Sequence, residues 1–156
     1  MLFRDAAYAF SAMMLVSGAA ADARSDANQS KEAVSDLTGY WQQENGQIVH
    51  FTQDGSSLTS RYVKRSTTNE PDDIDFTASV HDSLVYGAYR GPFSRAMQKK
   101  CGIQIWVGMG LTVKDDGTIL EGFRGDRSVN LRTCSVENSD AVKLVYKRVL
   151  DFDPLK

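Results

Sequence analysis

The sequence is poor in the residues that most often carry chemistry, with two cysteines and two histidines among 156 residues. A closed zinc site takes four ligands at close spacing, and a Ser-His or Cys-His pair needs a histidine beside its nucleophile. His50 and His81 lie on different predicted strands with no cysteine nearby. The sequence also lacks a His-x-x-x-His pair, a nucleophile elbow and a glycine-rich phosphate loop. We therefore predict a protein that is not an enzyme and that binds no metal or cofactor.

The chain also lacks an excess of either charge, since 18 Lys and Arg oppose 20 Asp and Glu for a net charge of −2. Such a balance provides no global field to recruit nucleic acid or an anionic membrane. Hydrophobic residues make up 42% and charged residues 24%, as in ordinary globular proteins. The length suits one domain better than two. A charge-driven partner would have to meet a local patch.

A long apolar run occurs near the start, over residues 6–21, after Arg4. It is followed by Ala21-Asp22-Ala23, with small residues at the two positions that a signal peptidase reads. The run is short and rich in alanine for a membrane span. We predict a cleaved secretory signal over residues 1–23 and a secreted protein, periplasmic in a Gram-negative host, without a stable membrane anchor. A buried N-terminal helix is the alternative.

The two cysteines, Cys101 and Cys134, would then lie in an oxidising compartment. Two lone cysteines make a poor metal site, so we predict a disulfide. In the chain-entropy model, a bridge that closes the loop between these two cysteines stabilises the fold by about 3–4 kcal/mol.

Period-two alternation punctuated by turns runs through the rest of the chain and predicts antiparallel strands. Residues 24–37 are polar, and we predict that they form a linker with a short helix from Ser30 to Leu37. We assign residues 38–150 to a β domain and residues 151–156 to a C-terminal tail. Gly39 to Gln43 is the first predicted strand, and Asn45-Gly46 is a strong hairpin signal.

Two strands illustrate the alternation. In the fourth, Ile74, Phe76, Ala78 and Val80 alternate with polar residues that include Asp75, which the pattern places on the outer face. In the sixth, a run of alternate apolar residues from Ile103 to Val113 faces inward, and Trp106 lies on the opposite face with Gly108 and Gly110. We expect the seventh strand over residues 118–124, the last over 142–149, and a short helix within 93–99.

About eight short strands joined mostly by tight turns predict an all-β, up-and-down antiparallel barrel. Closure removes exposed edges, and an interior of this size is either packed or holds one small ligand. A two-sheet sandwich is the alternative architecture.

The Gly39-x-Trp41 pattern resembles the first-strand motif of lipocalins, which belong to the calycin superfamily of small barrels. In that family the Trp covers the closed end of the barrel under a basic residue of the last strand. The resemblance implies that Trp41 closes this barrel and that Arg148 stacks on it by a cation–π contact. A short helix before Gly39 also fits this family.

The stretch "GYWQQENGQIVHFTQDGSSLTSRY" is similar to avidin-like barrels in its Trp, hairpin Gly, apolar strand, Asp-Gly turn and terminal Tyr. The resemblance implies that Tyr62 is a binding-site tyrosine. Three positions that read the ureido group of biotin in avidins carry Gln43, Gln47 and Lys64 here. The similarity therefore implies the fold and not biotin binding.

Candidate binding residues fall into two sets. Aromatic side chains are candidates to line a cavity, although small barrels also fill their interiors with such residues: Phe51, Tyr62, Tyr86 and Tyr89. The predicted loop at residues 91–101 is basic and is held by Cys101, and long loops at a barrel mouth commonly carry binding. Its cationic residues are candidates to meet an anionic ligand or an acidic patch: Arg95, Lys99 and Lys100. Trp106 is a candidate partner face, because alternation puts it on the outer wall.

The leading hypothesis is a secreted, non-catalytic binding module of the calycin-like type for a small apolar or amphipathic ligand. The alternative is a protein-interaction module, such as a periplasmic enzyme inhibitor, that uses the basic loop and the Trp106 face.

Overall fold

The computed structural model of the protein describes residues 36–91 and 94–153. It contains eight strands and a short helix among these residues. The strands are β1 Gly39–Gln43, β2 Ile48–Asp54, β3 Ser57–Tyr62, β4 Ile74–His81, β5 Leu84–Arg90, β6 Trp106–Lys114, β7 Ile119–Asn130 and β8 Ser135–Val149. The helix α1 is Ser94–Cys101, and a 3-10 turn at Asp115–Gly117 joins β6 to β7.

The eight strands form one closed antiparallel barrel in which every strand pairs with its neighbours in sequence. β1 pairs with β2 on one side and with β8 on the other, where Trp41 lies opposite Arg148. The predicted up-and-down barrel is therefore confirmed, and the sandwich is excluded. Alternation holds in most strands: in β6, for instance, Val107, Met109 and Leu111 are buried.

The last two strands are much longer than predicted. β7 runs to Asn130 and β8 begins at Ser135, so the two form a long hairpin with a turn between them that contains Cys134. Sequence alternation failed here because residues 125–141 are mostly polar and the hairpin is largely exposed. The predicted ends of these strands were wrong, whereas their pairing was right.

The end of the barrel near Trp41, here called the Trp41 end, is packed with aromatic rings. Trp41 is fully buried, stacks on Phe51 with 4.9 Å between ring centroids, and donates from Nε1 to the Leu37 carbonyl at 2.9 Å. Phe51 in turn packs edge-on against Phe76 and Tyr146. Burying such side chains is worth about 1.5–3 kcal/mol each, so this half of the interior is a core.

Arg148 covers Trp41 from the last strand. Its guanidinium carbon lies 5.5 Å from the Trp41 ring centroid. The same group donates to the carbonyls of Asp36 at 3.1 Å and Thr38 at 2.6 Å, which fixes the segment entering β1. This is the arrangement that the lipocalin resemblance implied.

The opposite end, here called the α1 end, lies where β5 stops and β6 starts. α1 connects these two strands and buries Met97 completely. Cys101 at the end of α1 forms the predicted disulfide with Cys134 in the β7–β8 turn. The bridge is confirmed, and it ties α1 to the tip of the long hairpin.

The predicted short helix before β1 is not found where the chain is described. Residues 36–38 have no helical structure, and residues 24–35, like the predicted signal, lie outside the described residues. The start of the tail is described, and Phe152 packs its ring against Tyr40 with 4.7 Å between centroids. Within the described ranges, no helix is long and apolar enough to cross a membrane.

Candidate functional site

A polar cluster lies inside the barrel toward the α1 end, and it centres on Asp75. Ser60 pairs with Phe76 and Arg61 pairs with Ile74, so Asp75 is an extra residue in β4 without a cross-strand partner on β3. This β-bulge turns Asp75 inward next to Phe76 and leaves both residues fully buried. The prediction that Asp75 faces outward was wrong, because alternation breaks at a bulge.

Four side chains from three strands donate hydrogen bonds to the Asp75 carboxylate. The hydroxyls of Tyr62 and Tyr146 donate at 2.6 and 2.9 Å. The Ser60 hydroxyl and the Gln43 side-chain amide each donate at 3.1 Å. A protonated carboxyl would present a donor to this set, whereas an ionised one accepts from all four. The geometry fits the ionised form.

Burial raises the pKa of Asp75 above its usual value, and the four hydrogen bonds act in the opposite direction. Burial and the nearby Asp75 charge raise the pKa of the Tyr62 and Tyr146 hydroxyls far above their usual value. These two phenols therefore stay protonated and remain donors at neutral pH.

The cluster continues toward the α1 end through Tyr89 and Arg124. The Tyr89 and Tyr62 hydroxyl oxygens are 3.4 Å apart, and burial raises the pKa of Tyr89 to about 12. The Arg124 guanidinium carbon lies 4.6 Å from the Tyr89 ring centroid, a cation–π distance. A chain of polar contacts therefore runs from a buried carboxylate to a buried cation.

The Arg124 guanidinium uses only part of its hydrogen-bonding capacity. Its Nη1 donates to the Asp126 carboxylate at 2.8 Å and to the Gly125 carbonyl at 3.0 Å. Its side chain is only 10% exposed, and its Nε is buried without a hydrogen-bond partner. Buried donors are almost always satisfied, so an orphaned one needs an explanation, such as a ligand or ordered water.

A second charged group lies on the outside of the α1 end. Asp73 pairs with Arg90 at 3.2 Å and with Arg95 of α1 at 2.6 Å. Burial alone would raise the pKa of Asp73, but the hydrogen bonds from Arg95, the Glu70 backbone and Arg90 outweigh it and lower that pKa. Arg95 is thus engaged in anchoring α1 to the loop before β4.

The candidate residues from the sequence divide between the interior and the surface. Phe51, Tyr62 and Tyr89 are buried in the barrel, and of these Tyr62 and Tyr89 belong to the polar cluster. Tyr86 is 53% exposed on the outer wall and lines no interior site. Arg95 pairs with Asp73, and Lys99 and Lys100 are exposed on α1.

Trp106 lies on the outer wall, where alternation placed it, and is half-buried. Its Nε1 donates to the side-chain oxygen of Gln104 at 3.4 Å. Trp106 and Gln104 together border a depression of about 240 Å³. Ile103, Ile105, Arg127 and Val136 complete its lining. The volume is below the range of about 300–1,000 Å³ typical of small-ligand pockets, so the depression suits one side chain better than a whole ligand.

Sequence reasoning missed Asp75, Gln43, Tyr146 and Arg124. The first is hidden by the bulge, and Gln43 was read as a departure from the avidin pattern. One signal was present for Arg124: it alternates with exposed Phe123 and falls on the inward face with Leu120. A charged residue on an inward face is a sign of a buried polar site.

Neither histidine takes part in the cluster. The His50 ring packs against Tyr40 at 4.8 Å between centroids, and His81 contacts Asp82 at 3.0 Å on the exposed surface. Among residues 36–91 and 94–153, no group of three or more potential ligands is placed to hold a metal ion.

No protein-family model, curated protein or solved structure matches the chain. The likeness to calycin barrels therefore rests on the sequence pattern around Trp41 and on the closed barrel with Arg148 over that ring.

Proposed function

We propose that this protein is a non-catalytic binding module of the calycin-like type that holds a small amphipathic ligand at the α1 end of its barrel. The polar part of the ligand carries a negative charge and meets Arg124. Its apolar part leaves toward the loops and α1, since the Trp41 end is filled by aromatic rings.

The observation that carries the proposal is the buried Arg124 Nε without a hydrogen-bond partner. Arginine presents a fork of donors that matches carboxylates and phosphates. Here the fork is half used, by Asp126 and a carbonyl, and stacks on Tyr89. A ligand anion would accept from the unpaired Nε and offset the cost of burying the guanidinium.

The cluster around Asp75 supports this site by making it rigid. Tyr62 and Tyr89 touch through their hydroxyls, and Tyr62 is fixed by Asp75. A binding group whose rotamer is locked by such contacts loses little entropy when a ligand arrives. The sequence-based choice of Tyr62 and Tyr89 as binding residues is consistent with this arrangement.

The test is calorimetric titration of the purified, disulfide-bonded protein with dodecanoate and with dodecyltrimethylammonium, two probes that differ in head-group charge. We expect dodecanoate to bind at one site, and the cationic probe to bind at least tenfold more weakly. Arg124→Met and Arg124→Lys should each weaken dodecanoate binding at least tenfold, because Met supplies no donor and Lys cannot present the planar pair of donors that fits a carboxylate.

Arg132→Met is the matched control, since Arg132 is exposed in the β7–β8 turn and is not a member of the cluster. Thermal unfolding of each variant separates lost binding from lost structure. Equal affinity for both probes, or an Arg124→Met variant that is folded and binds dodecanoate normally, would overturn the proposal.

A further inference from the structure

The outer wall of the barrel carries two aromatic rings that flank a strip without side chains. Tyr86 on β5 lies directly opposite Gly110 on β6, and Gly110 lies directly opposite Phe123 on β7. Tyr86 is 53% exposed and Phe123 60% exposed. A Cβ added at Gly110 would meet nothing within 4 Å, so the floor between the rings is open.

The spacing of the two rings fits a third ring. Neighbouring strands lie about 4.8 Å apart, which places the Tyr86 and Phe123 backbones about 9.6 Å apart across Gly110. Offset-stacked aromatic rings sit about 4.5–7 Å apart between centroids. The gap therefore accommodates a single flat ring, and Tyr86 and Phe123 make no ring contact with each other in the part of the chain that is described.

The strip continues along β6 to a cation. Gly108, which also has open space where a Cβ would stand, lies on the same face as Gly110, and Trp106 is on this face at the start of the strand. Trp106 and Arg127 border the depression of about 240 Å³. The Arg127 side chain is exposed and forms no ion pair with a described residue. Four residues of strand, about 13 Å, separate the ring gap from this cation.

We propose that this surface docks an extended segment of a partner protein, with an aromatic side chain between Tyr86 and Phe123 and an acidic side chain about four residues away at Arg127. An extended chain advances about 3.3–3.6 Å per residue, which matches the 13 Å offset. The glycine floor lets the segment lie close to the sheet, and Trp106 supplies apolar contact between the two anchors.

A second copy of this chain fits the surface less well. The strip spans three strands and about 20 Å of β6, so it offers roughly 200–300 Å². A stable interface buries about 800 Å² on each partner. An area this small suits a short segment with two anchors, whose affinity is modest and depends on Arg127.

The test uses a nine-residue peptide, Asp-Thr-Ser-Thr-Trp-Thr-Ser-Thr-Asp, blocked at both ends, which places an acid four residues from the ring in either chain direction. Binding to the full protein is followed by amide chemical shifts and by calorimetry. We expect a Kd below about 1 mM, shifts confined to β5–β7, and at least a tenfold loss when the peptide Trp is replaced by Ala. Replacing both Asp by Asn should weaken binding several-fold and abolish its dependence on salt.

Two protein variants and a matched control complete the experiment. Gly110→Val fills the gap and should weaken binding at least tenfold, and Arg127→Gln should reproduce the effect of the Asn peptide. Thr52→Val places the same side chain on the exposed outer face of β2 and should bind like the wild type. The proposal is overturned if the Ala peptide binds equally, if folded Gly110→Val binds normally, or if no binding occurs at 1 mM. Concentration-dependent dimerisation through β5–β7 would also overturn it, in favour of a second copy.

Discussion

The Tyr62 hydroxyl donates a 2.6 Å hydrogen bond to Oδ1 of Asp75, and both residues are buried inside the barrel. This contact is the shortest of the four that hold the carboxylate. Because β1, β3 and β8 each contribute donors to a residue of β4, the cluster links strands that are not neighbours in the wall.

Asp75→Ala should destabilise the protein by about 3–5 kcal/mol or prevent folding, because it leaves four buried donors without an acceptor. Asp140→Ala, at an exposed position of β8, should change the free energy of unfolding by less than about 0.5 kcal/mol. Chemical denaturation followed by circular dichroism measures both. Asp75→Asn keeps the side-chain volume and removes only the charge. If Asp75 is ionised, this change should lower the free energy of unfolding by about 1–3 kcal/mol. An unchanged free energy of unfolding would show that the native carboxyl is protonated.

The buried phenols predict a loss of stability at alkaline pH. The pKa of Tyr89 is raised to about 12, and those of Tyr62 and Tyr146 are raised further, mainly by burial. Above about pH 10 the unfolded chain releases protons that the native state retains, so stability falls as pH rises, by up to about 4 kcal/mol per pH unit for three groups. Denaturation at a series of pH values measures the slope.

Tyr89→Phe removes one of these groups and should reduce the alkaline slope by about 1.4 kcal/mol per pH unit. Ultraviolet absorption gives an independent check, since phenolate from the buried tyrosines should appear only together with unfolding. A steep phenolate signal from Tyr89 in the folded protein below pH 11 would contradict the assignment.

Trp41→Ala should cost about 3–5 kcal/mol, because it removes a fully buried ring that packs on Phe51. Arg148→Lys should cost about 1–3 kcal/mol, since lysine cannot reproduce the donors to the Asp36 and Thr38 carbonyls together with the stacking on Trp41. A stable Trp41→Ala variant that loses only ligand binding would indicate a functional rather than a structural ring.

Reduction of the Cys101–Cys134 bridge, or the paired change to serine, should lower the free energy of unfolding by about 3–4 kcal/mol. Because the bridge holds α1 to the hairpin tip, amide exchange should accelerate first in α1 and around residues 131–135. Uniform acceleration through all eight strands would instead indicate that the bridge supports the barrel as a whole.

The parts of the fold that could be predicted are those governed by alternation and turn chemistry. The barrel, the disulfide and the outward position of Trp106 followed from period two, from hairpin signals such as Asn45-Gly46, and from the pairing of two cysteines. The extended β7–β8 hairpin was missed because its residues are polar on both faces, so its sequence shows no period-two alternation of apolar and polar residues. Asp75 was missed because a single extra residue reverses the face of a strand locally, and nothing in the sequence of β4 marks that insertion.

The candidate site was predicted only in its aromatic part. Tyr62 and Tyr89 were selected, whereas the residues that give the site its charge, Asp75 and Arg124, come from β4 and β7 and are linked through these two tyrosines only in the closed barrel. Tyr86 shows the converse error, since its side chain points away from the interior. The alternation in a sequence tells which face of its own strand a residue occupies. The tilt and shear of the barrel determine which residues of distant strands lie in the same layer.

The pairing of β1 with β8 also constrains how the chain reaches its native state. Tyr40 finds its partner Val149 more than a hundred residues later in the sequence, so the first strand keeps one unpaired edge until nearly all the barrel has been synthesised. Contacts of such separation slow folding, because the loop entropy is lost before the pairing energy is gained. Trp41 and Arg148 meet at this same seam, and their stacking therefore belongs to the last step of closure. A nascent chain stopped before β8 would expose the edge of β1 together with the aromatic face that Arg148 later covers.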